Sequence, residues 1–336
     1  MSAPDHPLHE LVCITGMHRS GTSLLARVVN LLGVSLGDEG ALMGPGPDNP
    51  SGYWENRWVK ELDDELLAHL GGAWDQPPLL TGDWALDPTL DPFRERAAEI
   101  VARDLARGTA CRAGCKEPRL CLLHPFWRTV VPIRSTVVVV REPGEVAASL
   151  ARRNGMDPAQ GAALWLRYLF AATTEPALVV SLDDLTDRPE PTALRLAAHL
   201  GLPEPGPDVL ARIRAHHDPS ILHRKAPASS SSEVAVRSPN MELASAVWGG
   251  GSVDLDAVGP AVRTALAEGW LGPPANRAAI DRARAENVEL NEKLRKWHRK
   301  RRAQKLKQVD VLLPPLPDGD DDDVDDDDVG DEGAEP

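Results

Sequence analysis

The apolar positions of this chain fall into short runs of two kinds that take turns. Leu11–Gly16 is a continuous apolar run entering a glycine turn, as a buried strand does. Gly21–Leu32 then keeps helical spacing up to Gly33. Trp58–Leu70 carries a helical stripe through Val59, Leu62, Leu66, Leu67 and Leu70, and Phe93–Ala106 predicts a second such helix. Cys111–Pro118 predicts a short strand. Thr136–Arg141 is almost wholly β-branched, as a strand covered on both faces must be. Pro143–Asn154 opens with proline where a first helical turn accepts it. Asp157–Thr173 predicts a helix, Ala177–Leu182 a strand, and Pro191–Leu200 a helix closed by Gly201. Strands alternating with helices predict an α/β fold, a parallel sheet with helices on both faces.

The polar segments divide the chain. Leu36–Pro50 is rich in Gly, Pro and Asp and predicts a loop. Ala226–Ser252 is Ser/Gly-rich and reads as a mobile loop or lid rather than a core element, with Arg224 and Lys225 before it as candidate anion clamps. The sequence LGPPA at 271–275 ends the folded body, expected to span residues 1–274. Residues 275–309 predict one long basic helix. Its narrow seam of Ile280, Ala283, Asn287, Leu290, Leu294 and Trp297 suits a weak coiled coil, so a homodimer through 280–297 is one expectation. Residues 310–336 hold 13 acidic residues and no Lys or Arg, the composition of a disordered tail.

Charge sharpens this division. The formal net charge of −14 conceals a basic stretch, 293–307, with nine Lys or Arg and no acidic residue. That stretch suits contact with an anionic membrane surface, for which the acidic tail would compete. The body keeps a mild acidic excess, which argues against a nucleic-acid partner. With 42% hydrophobic residues the chain has ample material for a core, in one large α/β domain or two small ones. The start lacks a basic segment followed by an apolar one, and the apolar runs are too short to span a bilayer, so a cytoplasmic protein is expected. Cys111, Cys115, Cys121 and His124 give C-x3-C-x5-C-x2-H, which lacks the paired C-x2-C knuckle of zinc sites. Free thiols are the expectation for these and for Cys13.

The strongest chemical signal is Gly16-Met-His18-Arg19-Ser20-Gly21-Thr22-Ser23, between a strand and a helix. Such a turn aims backbone N–H groups and the positive end of a helix at an anion. The G-x4-G spacing matches the nucleotide P-loop, but Thr22 stands where that loop has lysine. A magnesium-dependent enzyme of that type also wants an aspartate closing a later apolar strand, and here that strand ends in Arg141. Both departures point to a nucleotide bound without metal, its charges met by arginine and backbone donors.

At these residues the chain resembles the sulfotransferases that use 3′-phosphoadenosine 5′-phosphosulfate (PAPS), in the bacterial and tyrosylprotein-type branch. GMHRSGTSLL is similar to that family's 5′-phosphosulfate loop. VVVVREPGEVAASL, with Arg141 and Ser149 eight residues on, is similar to its 3′-phosphate signature. NPSGYWEN at 49–56 and KEPR at 116–119 resemble further segments, the second more often Lys-Asp-Pro. The resemblance covers roughly residues 10–225 and implies a P-loop-type sheet. It also implies PAPS as co-substrate without metal, and sulfuryl transfer to a hydroxyl-bearing acceptor, whether sugar, lipid, peptide or small metabolite. Gly16, His18, Arg19, Ser20, Gly21, Thr22, Ser23, Arg141 and Ser149 are then the donor contacts.

Catalysis needs a base near the acceptor hydroxyl. Glu55, after Gly-Tyr-Trp and before a helix, is the candidate, with Glu39 in the preceding loop as its rival. Arg19 and Lys116 are the candidates to meet charge on the leaving phosphosulfate. Trp54, Trp58, Trp74 and Trp84 read as core aromatics, or alternatively as a stacking wall for an acceptor. Two other functions compete: a P-loop kinase, and a non-catalytic nucleotide-binding scaffold organised by the C-terminal helix and tail.

Overall fold

The computed structural model describes residues 10–46, 49, 52–78, 80, 82–106, 112–174, 176–216, 238–249 and 252–267. The segments 275–309 and 310–336, with Arg224 and Lys225, lie outside the described residues.

Among the described residues four strands make one parallel sheet: β1 (Leu11–Thr15), β2 (Ala113–Lys116), β3 (Ile133–Val140) and β4 (Leu178–Ser181), in the order β2-β1-β3-β4. Alternation along β1 sorts the core. Leu11 and Cys13 join one apolar cluster, while Val12 and Ile14 join the other. In β3, Val138 and Val140 take the first face, and Val137 and Val139 the second. Both faces are therefore covered, which is why these strands read as unbroken apolar runs.

On the first face lie α2 (Arg57–His69), α3 (Asp91–Ile100), α4 (Leu120–Arg128), α5 (Pro143–Asn154) and α6 (Pro158–Ala172). On the second lie α1 (Thr22–Leu31), α8 (Pro189–Leu200) and α9 (Pro207–His216). Between β4 and α8 runs the short helix α7 (Leu182–Asp187), closed at its start by a capping box of Ser181 and Asp184. The chain moves from β1 to β2 on one side, then returns past β1 to β3. The loop after β1 leads to α1 on the second face, and the loop after β3 leads to α5 on the first. Those loops diverge at the carboxyl ends of β1 and β3, the switch point at which sheets of this kind receive ligands.

Two expectations change. The helix expected over Phe93–Ala106 spans Asp91–Ile100 and then widens into a π turn at Val101–Leu105. The region read as a loop over Ala226–Ser252 contains α10 (Pro239–Trp248), capped by Ser238, which buries Met241, Ala244, Val247 and Trp248. It packs on α6 and is followed by α11 (Leu255–Ala267). The described part of that region is thus core. Its apolar positions recur at helical spacing, but flanking Ser and Gly hid the stripe. No helix among the described residues is long and apolar enough to cross a membrane.

Candidate functional site

Every chemical candidate of the sheet sits at its carboxyl edge. Thr15 ends β1, and its Oγ1 donates to the Glu117 and Pro118 carbonyls at 2.9 and 3.2 Å, pinning the turn after β2 beside the phosphate loop. Gly16 has φ 149, and a Cβ there would lie 2.3 Å from Val139 O. Only glycine lets the loop press this closely on β3. Gly21, at φ 95, is the N-cap of α1 and offers no side-chain acceptor to the first turn. The first-turn N–H groups of α1 thus remain for an anion.

Within the phosphate loop, Gly16–Ser23, Arg19 is the one residue with a side chain in the left-handed region, at φ 68. That turn carries its guanidinium to α5, where Nε donates to Ser149 Oγ at 3.0 Å. Its carbonyl accepts from Arg141 Nη1 at 3.3 Å. Arg141 also pairs with Glu145 Oε2 at 2.6 Å, one helical turn along. The structure thus brings Arg19, Arg141 and Ser149 together, from loop, strand end and helix.

Lys116, the last residue of β2, is buried, and its Nζ donates to Glu55 Oε1 and, at 3.0 Å, to Tyr53 O. Glu55 is not a helix-start residue neutralising a dipole. Asn56 is the N-cap of α2 and accepts from Trp58 N and Val59 N, which leaves the Glu55 carboxylate to Lys116. Glu39 is exposed in a short 3-10 turn, Glu39–Ala41, and the structure does not gather it with Lys116.

The remaining loop residues diverge. The His18 ring centroid lies 4.6 Å from that of Trp74 and 5.8 Å from that of Tyr168, the latter in an edge-on arrangement. Burial, then Arg119, Arg153, Lys116 and Lys60, hold it neutral by pushing its pKa well below the imidazole range. Ser20 Oγ is buried and has no partner among the described residues; the residue borders a small cavity with Cys121, Trp165 and Tyr168. Thr22 is buried at the start of α1. Ser23 Oγ donates to Tyr53 O at 3.2 Å. Of the tryptophans, Trp74 and Trp84 pack partly buried on one core cluster and Trp54 on the other. Trp58 is 41% exposed, with the Arg103 guanidinium over its ring.

Behind Lys116 lies a charged cluster that sequence spacing did not show. Glu117 is fully buried and accepts from Arg119 N and Nη1 at 3.1 and 2.6 Å. Arg119 Nε reaches Asp64 Oδ1 at 2.6 Å, and Lys60 closes the chain on Asp64 Oδ2 at 2.8 Å. Asp63 is buried against Trp127 Nε1 at 2.9 Å. Burial first, and then the charge of Glu117, push Asp63 well above the carboxylate range; burial likewise raises Glu117. Asp63 and Asp64 lie in α2 and Glu117 in a turn, so only the packing of α2 on the sheet joins them. Cys13, Cys115 and Cys121 are free, buried thiols, and Cys111 lies outside the described residues. Among the described residues no group of three or more His, Cys, Asp or Glu side chains could hold a metal ion.

No family model matches the chain, and no curated protein matches it. Among solved structures it is similar to the sulfotransferase domain from the Synechococcus PCC 7002 olefin synthase. The identity is 17% over 78% of this chain and 97% of that one, with a TM-score of 0.41.

Proposed function

We propose that this protein is a sulfotransferase that moves a sulfuryl group from PAPS onto an acceptor hydroxyl and releases PAP. The observation that carries the reading is the convergence of Arg19, Arg141 and Ser149 at the carboxyl ends of β1 and β3. They meet beside an anion-receiving turn that has Thr22 in place of the P-loop lysine, and Arg141 stands where a metal-binding aspartate is wanted. This donor set fits a ligand with phosphate at both ends: two guanidiniums, a hydroxyl and a helix start, with the Lys116 ammonium near.

PAPS supplies a sulfur centre bonded to a phosphate oxygen that can leave. The loop Gly16–Thr22 and Arg19 hold the 5′ end, and Arg141 and Ser149 hold the 3′-phosphate. The Glu55 carboxylate takes the acceptor's proton as the acceptor oxygen bonds to sulfur and the bond from sulfur to the 5′-phosphate oxygen breaks. The electron pair of that bond stays on the phosphate oxygen, where Arg19 and Lys116 meet its charge.

Thermal stabilisation of the full-length protein decides between this reading and a P-loop kinase. PAP without magnesium is expected to raise the melting temperature. A shift with Mg-ATP and none with PAP overturns the proposal.

A further inference from the structure

One side chain that the transfer chemistry does not use ties the segment carrying Glu55 to the phosphate loop. Asn49 Nδ2 donates to Ser23 Oγ, in the first turn of α1, at 2.9 Å and to Gly52 O at 2.7 Å. Its backbone exchanges hydrogen bonds with Gly46 at 3.0 and 3.1 Å, and its carbonyl also accepts from Gly52 N at 3.2 Å. Because Asn49 donates to the Ser23 oxygen, the serine's own proton is turned to Tyr53 O. That same carbonyl accepts from Lys116 Nζ.

Tyr53 O is therefore a node between the phosphate loop and the end of β2. Two residues on, the Glu55 carboxylate meets Lys116 and the Glu55 carbonyl accepts from Met43 N at 2.8 Å. Between them Trp54 sits at φ 60, a conformation that a bulky residue keeps only where its surroundings hold it. The Tyr53 ring closes over Gly46, where a Cβ would lie 2.5 Å from the phenol oxygen.

We propose that Asn49 is a positioning residue: by directing the Ser23 hydroxyl onto Tyr53 O, it sets where Lys116 and Glu55 meet beside the phosphate loop. Its catalytic consequence rests on the sulfotransferase reading, whereas its structural consequence does not. Asn49 touches neither the candidate base nor the candidate phosphate arginines, and it acts through Ser23 and Tyr53.

Three measurements on the full-length protein test this. Hydrogen–deuterium exchange in the free protein should show faster exchange over residues 52–56 in Asn49→Ala. Asn49→Asp has the same shape without the N–H donors and should behave likewise. Calorimetry should give PAP affinity within about threefold of wild type for Asn49→Ala. PAPS turnover to PAP with water as acceptor should lose about tenfold or more in kcat, with KM for PAPS changed less than about twofold, as misplaced reacting groups do. Unchanged exchange over 52–56 in Asn49→Ala overturns the proposal, as does wild-type exchange in Asn49→Asp. A loss of PAP affinity of about tenfold would place Asn49 in the donor site and overturn it too. If the wild type itself does not bind PAP, the sulfotransferase reading falls, and the exchange experiment alone decides the role of Asn49.

Discussion

Lys116 engages Glu55 from a strand end 61 residues further along the chain, and the pair is buried where β2 meets the start of α2. A buried ammonium and a buried carboxylate stabilise each other only as a pair, because either alone leaves an uncompensated charge. Removing Glu55's charge leaves the buried Lys116 ammonium without its partner and should cost stability, while Arg19, Arg141 and Ser149 keep their own contacts. Glu55→Gln is expected to keep PAP affinity and lower turnover about 10²–10⁴-fold, the usual loss of a general base. Glu39→Gln should be near wild type, and activity should persist in EDTA. The assignment fails if the two variants exchange phenotypes in a PAPS turnover assay.

Arg19 and Arg141 meet through the Arg19 carbonyl and each can offer charge-assisted bonds to a phosphate. Truncating either to Ala should weaken PAP binding by about 2–4 kcal/mol in calorimetry. Arg141 is partly neutralised by Glu145, whose side chain is 41% exposed. Glu145→Gln is accordingly expected to tighten PAP binding. An Arg141→Ala protein that binds PAP as the wild type does would remove the residue from the site.

Asp63 ties stability to pH. Burial and then Glu117 raise its pKa, so the folded chain keeps a proton that the unfolded chain gives up in the ordinary carboxylate range. The folded state then binds more protons above that range, and stability falls as pH rises toward the raised value. Asp63→Asn still accepts from Trp127 and does not titrate. In urea titrations at pH 5 and pH 8 the variant should gain on the wild type as pH rises. A variant that loses ground to the wild type as pH rises would mean that the folded chain holds Asp63 ionised.

Gly16 is fixed by a backbone contact rather than by chemistry. An alanine there brings its Cβ to within 2.3 Å of Val139 O at φ 149. Gly16→Ala should cost about 2–3 kcal/mol in urea unfolding, as strain at a special backbone position does. A variant as stable as the wild type would show that the loop can stand off β3.

The sequence by itself determined the elements whose signals are local. Pro143–Asn154 lies where proline and helical spacing put it, and β1, β3 and β4 lie within a few residues of their apolar runs. It also set the chemical character of the loop, since Arg19, Gly21 and Thr22 are neighbours in the chain. Leu120–Arg128 escaped notice because Pro125 stands inside it, and Pro239–Trp248 because its short stripe lies among Ser and Gly. Only the tertiary structure decided the partnerships: Lys116 with Glu55, Arg19 with Ser149, Asn49 with Ser23, Asp63 beside Glu117. Side-chain periodicity says which face of an element is buried, but it carries no information about which distant element covers that face. Those pairings follow from sheet order, which returns the chain past β1 and gathers residues far apart in sequence at one edge.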